Sequence, residues 1–180
     1  MGDEPLAAPG DLELVRRFVN TRDLELGTDL LATPADLDAW LRSHLAEGVG
    51  GATADDLRRA LALREALRAL LLANATGGPP PEKARVAVEA AGRRARLRVG
   101  GDLRLLPAAR GVDGGLARLL AIVAVARADG TWARLKACPG DSCQWALYDH
   151  TRSRTRTWCA AAKCGARTRS REYRRRRAAR

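Results

Sequence analysis

Four cysteines, and no others in the 180 residues, occur near the end of the chain: Cys138, Cys143, Cys159 and Cys164, in a C-x4-C-x15-C-x4-C pattern. Two close pairs across a short connection are the usual way to place four soft ligands around one Zn²⁺. Arg134, Lys136, Arg156, Lys163 and Arg167 lie close to them in sequence. Positive neighbours lower thiol pKa and offset the net −2 charge of a four-thiolate site. Such a site leaves no open position for a catalytic water, so one structural zinc ion is the expected cofactor. The pattern also permits two disulfides, unpaired core cysteines or an iron–sulfur cluster. His150 lies between the pairs and could replace one sulfur.

Charge is segregated in the same way. Residues 131–180 carry 14 basic side chains against Asp141, Asp149 and Glu172, which accounts for the entire net charge of +11. Residues 1–130 carry 18 basic and 18 acidic side chains and balance to zero. Cysteine content, charge and hydrophobic periodicity all change near Asp129-Gly130, which sets the expected domain boundary there. No apolar run approaches the roughly 18 residues of a membrane helix. Met1 to Gly10 is acidic and Pro-rich, unlike a signal peptide, so a cytoplasmic location is expected.

The first 130 residues read as mainly helical. Leu12, Val15, Phe18 and Val19 share one helical face, ended by Asn20-Thr21. Thr33-Pro34-Ala35-Asp36 starts a second helix that buries Leu37, Trp40, Leu41 and Leu45, and Gly48 to Gly51 stops it. Thr53-Ala54-Asp55-Asp56 caps a third helix, whose stripe runs through Leu57, Ala60, Leu61, Arg64, Leu67, Leu70 and Leu71 to a break at Asn74 to Pro81. A shorter helix runs from about Glu82 to Ala91 and stops at Gly92. Alternation then takes over, and Gly100-Gly101 as a two-residue turn gives a β-hairpin over about 94–106. A last apolar helix spans about Gly114 to Ala128.

Beyond residue 130, Arg152, Arg154 and Arg156 alternate with hydroxyl residues. In an extended segment they would share one face. From Gly165 to Arg180 the composition is helical, with Arg167, Arg171 and Arg174 on one side and Arg169 and Arg175 widening the basic surface. Guanidinium forks suit phosphate oxygens and guanine edges. Trp145, Tyr148, Trp158 and Tyr173 lie among these residues. They serve either as a small core or as stacking platforms for unpaired bases.

Tyr148-Asp149, the Thr151 to Arg156 run, Trp158-Cys159 and Cys164-Gly165-Ala166-Arg167 resemble the bacterial CGNR zinc-finger family. Phe18-Val19-Asn20-Thr21 and the Leu31 to Leu41 stretch, with Pro34, Leu37 and Trp40, resemble its usual companion, the ABATE domain. The resemblance covers nearly the whole chain and places the zinc ligands on Cys138, Cys143, Cys159 and Cys164. It implies a stress-induced transcription regulator, with the finger proposed to bind DNA. One departure is that the family's Asn is Ala166 here, whose side chain can neither cap a helix nor bond a base.

The expected architecture is therefore mainly α with a small β-hairpin (α+β). Residues 1–130 form an ABATE-like helical domain, and residues 131–180 form a small treble-clef-like, four-cysteine zinc finger with a basic helix. The expected function is zinc-dependent transcriptional regulation in the cytoplasm, associated with the nucleoid, through double-stranded DNA. The helical domain would sense a small-molecule effector, with Phe18 and Trp40 as pocket walls, or form a homodimer. The alternative is an RNA- or ribosome-associated zinc protein. The only histidines are His44 and His150, and no Gly-rich phosphate loop or nucleophile elbow occurs, so an enzyme is not expected.

Overall fold

The computed structural model describes residues 6–45 and 50–178. Part of the acidic N-terminal segment, of the Gly48 to Gly51 stop and of the helix end expected at Arg180 lies outside the described residues.

Over the described residues the chain is mainly helical, with three small antiparallel two-stranded sheets. In order, it forms α1 (Leu12–Val19), β1 (Arg22–Asp23), β2 (Thr28–Asp29), α2 (Pro34–Leu45), α3 (Ala54–Thr76) and α4 (Glu82–Arg94). Then come β3 (Leu97–Val99), β4 (Leu105–Pro107), α5 (Gly111–Ala128), β5 (Leu135–Ala137), β6 (Ala146–Tyr148) and α6 (Ala166–Ala178).

The helix starts are set by local chemistry. The Asp36 carboxylate accepts from the Thr33 amide at 2.8 Å, and the Asp36 amide donates to the Thr33 hydroxyl at 3.2 Å. Thr53 and Asp56 repeat this at α3, where Gly77 in the left-handed region closes the far end. Each box satisfies amides that the first turn leaves unpaired. Arg64 belongs to the apolar stripe of α3 and is fully buried. It makes a bidentate bond to Asp29 of β2 at 2.6 and 2.7 Å and a bond to Thr21 at 3.1 Å, so its charge is matched. That pairing also fixes the β1–β2 hairpin, which sequence periodicity does not reveal.

Two expectations are corrected. Gly92 does not stop α4, which continues to Arg94. A single interior Gly costs about 1 kcal/mol relative to Ala, which surrounding helix can absorb. The β3–β4 hairpin pairs Val99 with Leu105. Its loop is therefore residues 100–104, not a two-residue turn at Gly100-Gly101. Leu103 takes a left-handed φ of 63° at its tip.

α5 begins at Gly111, and two glycines in its first turns serve close packing. A Cβ on Gly114 would lie 2.4 Å from the Ala109 carbonyl oxygen, and one on Gly115 would lie 2.8 Å from Leu41. The core gathers Val15, Phe18, Leu37, Leu41, Leu67 and Leu119 from four helices. It carries on past residue 130 to include Trp132, Leu135, Ala137, Ala146 and Tyr148. β5 packs extensively on α3.

Candidate metal centre and basic helix

The four cysteines converge from two elements. Cys138 follows β5, and a tight turn brings Cys143 back, with the Cys143 amide donating to the Gly140 carbonyl at 2.8 Å. Gln144 then adopts a left-handed φ of 49°, and the chain enters β6. Cys159 ends a loop, and Cys164 sits in a wide helical turn over Ala161–Gly165 that leads into α6. Its amide donates to the Ala160 carbonyl at 2.8 Å.

All four sulfurs lie within 4.8 Å of one another, with Cys143–Cys159 and Cys159–Cys164 at 3.5 Å. A tetrahedral ion at about 2.3 Å from each sulfur would space them by roughly 3.8 Å, so the donor set fits one closed four-thiolate metal site. All four are free thiols, and 3.5 Å is well beyond the roughly 2.05 Å of a disulfide bond. Hydrogen bonds from Cys143 and Cys159 draw Cys138 down to about 2, while the same bonding to Cys138 pushes Cys143 up to about 12 and Cys159 upward. Cys138 ionises easily while Cys143 and Cys159 resist, so ionising these three together requires a cation among them. His150 takes no part. Its Nε2 lies 2.7 Å from the Ala7 carbonyl, and its ring meets Tyr148 edge-on.

The surrounding shell is the part that cysteine spacing does not announce. Trp145 and Trp158 pack on the cysteine cluster, and Tyr148 is buried in the main core. Tyr173 is exposed on α6. The Asn20 side chain donates to the Ala146 carbonyl at 3.0 Å and accepts from the Ala146 amide at 2.7 Å, acting like one more strand pairing along β6. Buried Arg68 of α3 donates to the Gln144 carbonyl at 3.0 Å and to the Val19 carbonyl at 2.7 Å. Asn74 donates to the Trp132 and Leu135 carbonyls. Each partner lies far away in sequence, so no local pattern marks these residues. Only Asn20 carries a signal, through its place in the ABATE-like opening.

The alternating arginines do not form an extended face. The segment is an irregular loop in which Arg154 has a left-handed φ of 56°. The cause is a buried ion pair: Lys136 Nζ lies 2.7 Å from Asp149 and also donates to the Arg154 and Arg156 carbonyls. Asp149 further accepts from the Thr151 and Arg156 amides at 2.9 Å each, which wraps the loop around it. Burial alone would raise the Asp149 carboxyl, but the bonds from Lys136 and Thr151 outweigh it and hold it at about 2. Arg156 turns inward and donates to the Cys159 carbonyl at 3.0 Å, supporting that ligand's backbone. Arg152 and Arg154 remain exposed.

Arg167, Arg171 and Arg174 line one side of α6 together with Lys163 and Ser170. Arg167 and Lys163 both reach Glu25 of the β1–β2 loop, at 2.9 and 2.7 Å, and Arg171 reaches Asp141 at 3.1 Å. Arg174 donates to the Ser170 carbonyl, while Arg169 and Arg175 are exposed. Phe18 and Trp40 are core residues with ring centroids 5.3 Å apart, and Phe18 is fully buried. Among the described residues, no helix is long and apolar enough to cross a membrane.

Fold and site together define a helical protein with a C-terminal four-cysteine centre able to hold a metal ion. The sequence model of the ABATE family, described as "putative stress-induced transcription regulator", matches residues 12–167. The chain belongs to that family, which is one of non-catalytic regulators. The matched span includes all four cysteines and ends in the first turn of α6. No match specific to the CGNR finger accompanies it, and no curated protein matches the chain.

Proposed function

We propose that this protein is a zinc-dependent, DNA-binding transcriptional regulator. One structural zinc is held by Cys138, Cys143, Cys159 and Cys164, and a CGNR-type, treble-clef-like finger presents α6 to duplex DNA. The observation that carries this reading is the position of Cys164, two residues before α6 begins. A metal ion at that point fixes the direction of an arginine-rich helix, as groove-binding helices require. Family membership supports a regulatory role. Arg152, Arg154, Arg169 and Arg175 are exposed and have no acidic partner among the described residues, so they are free to meet phosphate or base edges.

The test is selection of zinc-loaded, full-length protein against a random duplex pool, with affinity followed as salt rises. Enrichment of a defined motif is the expected result. Arg169→Ala and Arg175→Ala are each expected to weaken binding and, if they contact phosphate, to reduce the salt slope by about 0.9. Absence of a motif, with structured RNA bound more tightly than duplex DNA, would replace this reading by RNA binding.

A further inference from the structure

A cavity of about 950 Å³ lies between the β3–β4 hairpin and α5, well away from the cysteines. Sites that enclose small organic ligands run from roughly 300 to 1,000 Å³. Its floor is apolar: Leu12 of α1 and Ile122 and Ala126 of α5 are buried there, and Pro107 of β4 adjoins them. Its rim leaves apolar surface open to water, with Leu103 84% exposed and Val125 52% exposed. Contiguous exposed apolar surface around a concavity marks a binding site more often than a scatter of single residues does.

The polar groups at this cavity are unequal. Arg104 is engaged by Asp11 at 3.4 Å, and Asp129 accepts from the Thr131 amide and hydroxyl. Arg98 and Arg118 also line the cavity, and among the described residues neither pairs with an acid or a carbonyl. Arg118 is only partly exposed, on the same helix as Ile122. A guanidinium drawn partly out of water without a counter-charge is unfavourable, and an anion arriving there relieves it.

We propose that this groove binds a small amphipathic carboxylate. Its apolar body lies over Leu12, Pro107 and Ile122, and its carboxylate is taken by Arg118, with Arg98 at the mouth. The apolar floor selects against inorganic anions, and the unpaired cations select against amines and neutral lipids. The site involves neither the metal centre nor α6, so it stands or falls independently of nucleic-acid binding.

Octanoate is the probe, titrated calorimetrically into metal-loaded, full-length protein, with octylammonium, octanol and acetate in parallel. Saturable one-to-one binding of octanoate is expected, with octylammonium weaker by about tenfold or more. Arg118→Gln is expected to weaken octanoate by about tenfold without lowering the melting temperature, and Arg118→Lys to recover part of the loss. Arg93→Gln, on exposed α4, serves as the control and leaves binding unchanged. The proposal is overturned if octanoate does not saturate in the millimolar range, if octylammonium binds equally, or if Arg118→Gln has no effect. It is overturned equally if sedimentation shows a dimer that Leu105→Ser or Arg118→Gln dissociates, because the groove would then accept a second copy of the chain.

Discussion

The Lys136 ammonium and the Asp149 carboxylate meet at 2.7 Å in a nearly dry environment, and between them they bind the backbone of the loop that delivers Cys159. Removing one partner of a buried ion pair leaves the other charge stranded, at a cost of about 3–5 kcal/mol. Asp149→Asn is therefore expected to destabilise the protein by that order in urea unfolding. The double change Lys136→Met with Asp149→Leu, which removes both charges, should cost less than Asp149→Asn alone. Equal effects would mean that the pair contributes nothing beyond packing. Because the Asp149 carboxyl is held at about 2, below the roughly 3.9 of an unfolded chain, its contribution is complete above about pH 4 and is lost as pH falls towards 2.

At the scale of elements, α5 depends on glycine as well as on core leucines such as Leu119. The Ala109 carbonyl leaves no room for a Cβ at Gly114, and backbone cannot rotate aside as a side chain can. Gly114→Ala should cost about 1–3 kcal/mol by overpacking, despite the better helix propensity of Ala. A rise in melting temperature would show that the β4–α5 connection shifts freely. This dependence could not be read from the sequence, whereas α1, α2 and α3 could, because their period and the caps at Thr33 and Thr53 are encoded within a few residues. The four cysteines were legible for the same reason, being spaced locally in two pairs. The Arg152 to Arg156 alternation misled because Lys136 and Asp149, close only in the fold, impose a different backbone. Asn20, Arg68 and Asn74 are silent in sequence because their partners Ala146, Gln144 and Leu135 lie more than sixty residues away.

For the molecule as a whole, β5 joins the two halves of the structure. Leu135 and Ala137 belong to the helical core, and the next residue is one of the four cysteines able to hold a metal ion. Stripping the metal with a chelator at neutral pH should therefore do more than loosen the cysteine turns. It should lower the melting temperature and speed hydrogen exchange at the Ala146 amide, which Asn20 holds. An unchanged Ala146 amide, with faster exchange only at residues 138–143 and 159–164, would show that the metal centre melts by itself. The Asn20–Ala146 clasp has a further consequence during synthesis. The first helix is made early, yet the strand that completes its surroundings is translated 126 residues later. Until then the part of α1 and α3 that β5 and β6 cover stays open, so that side of the helical core is completed only near the end of synthesis.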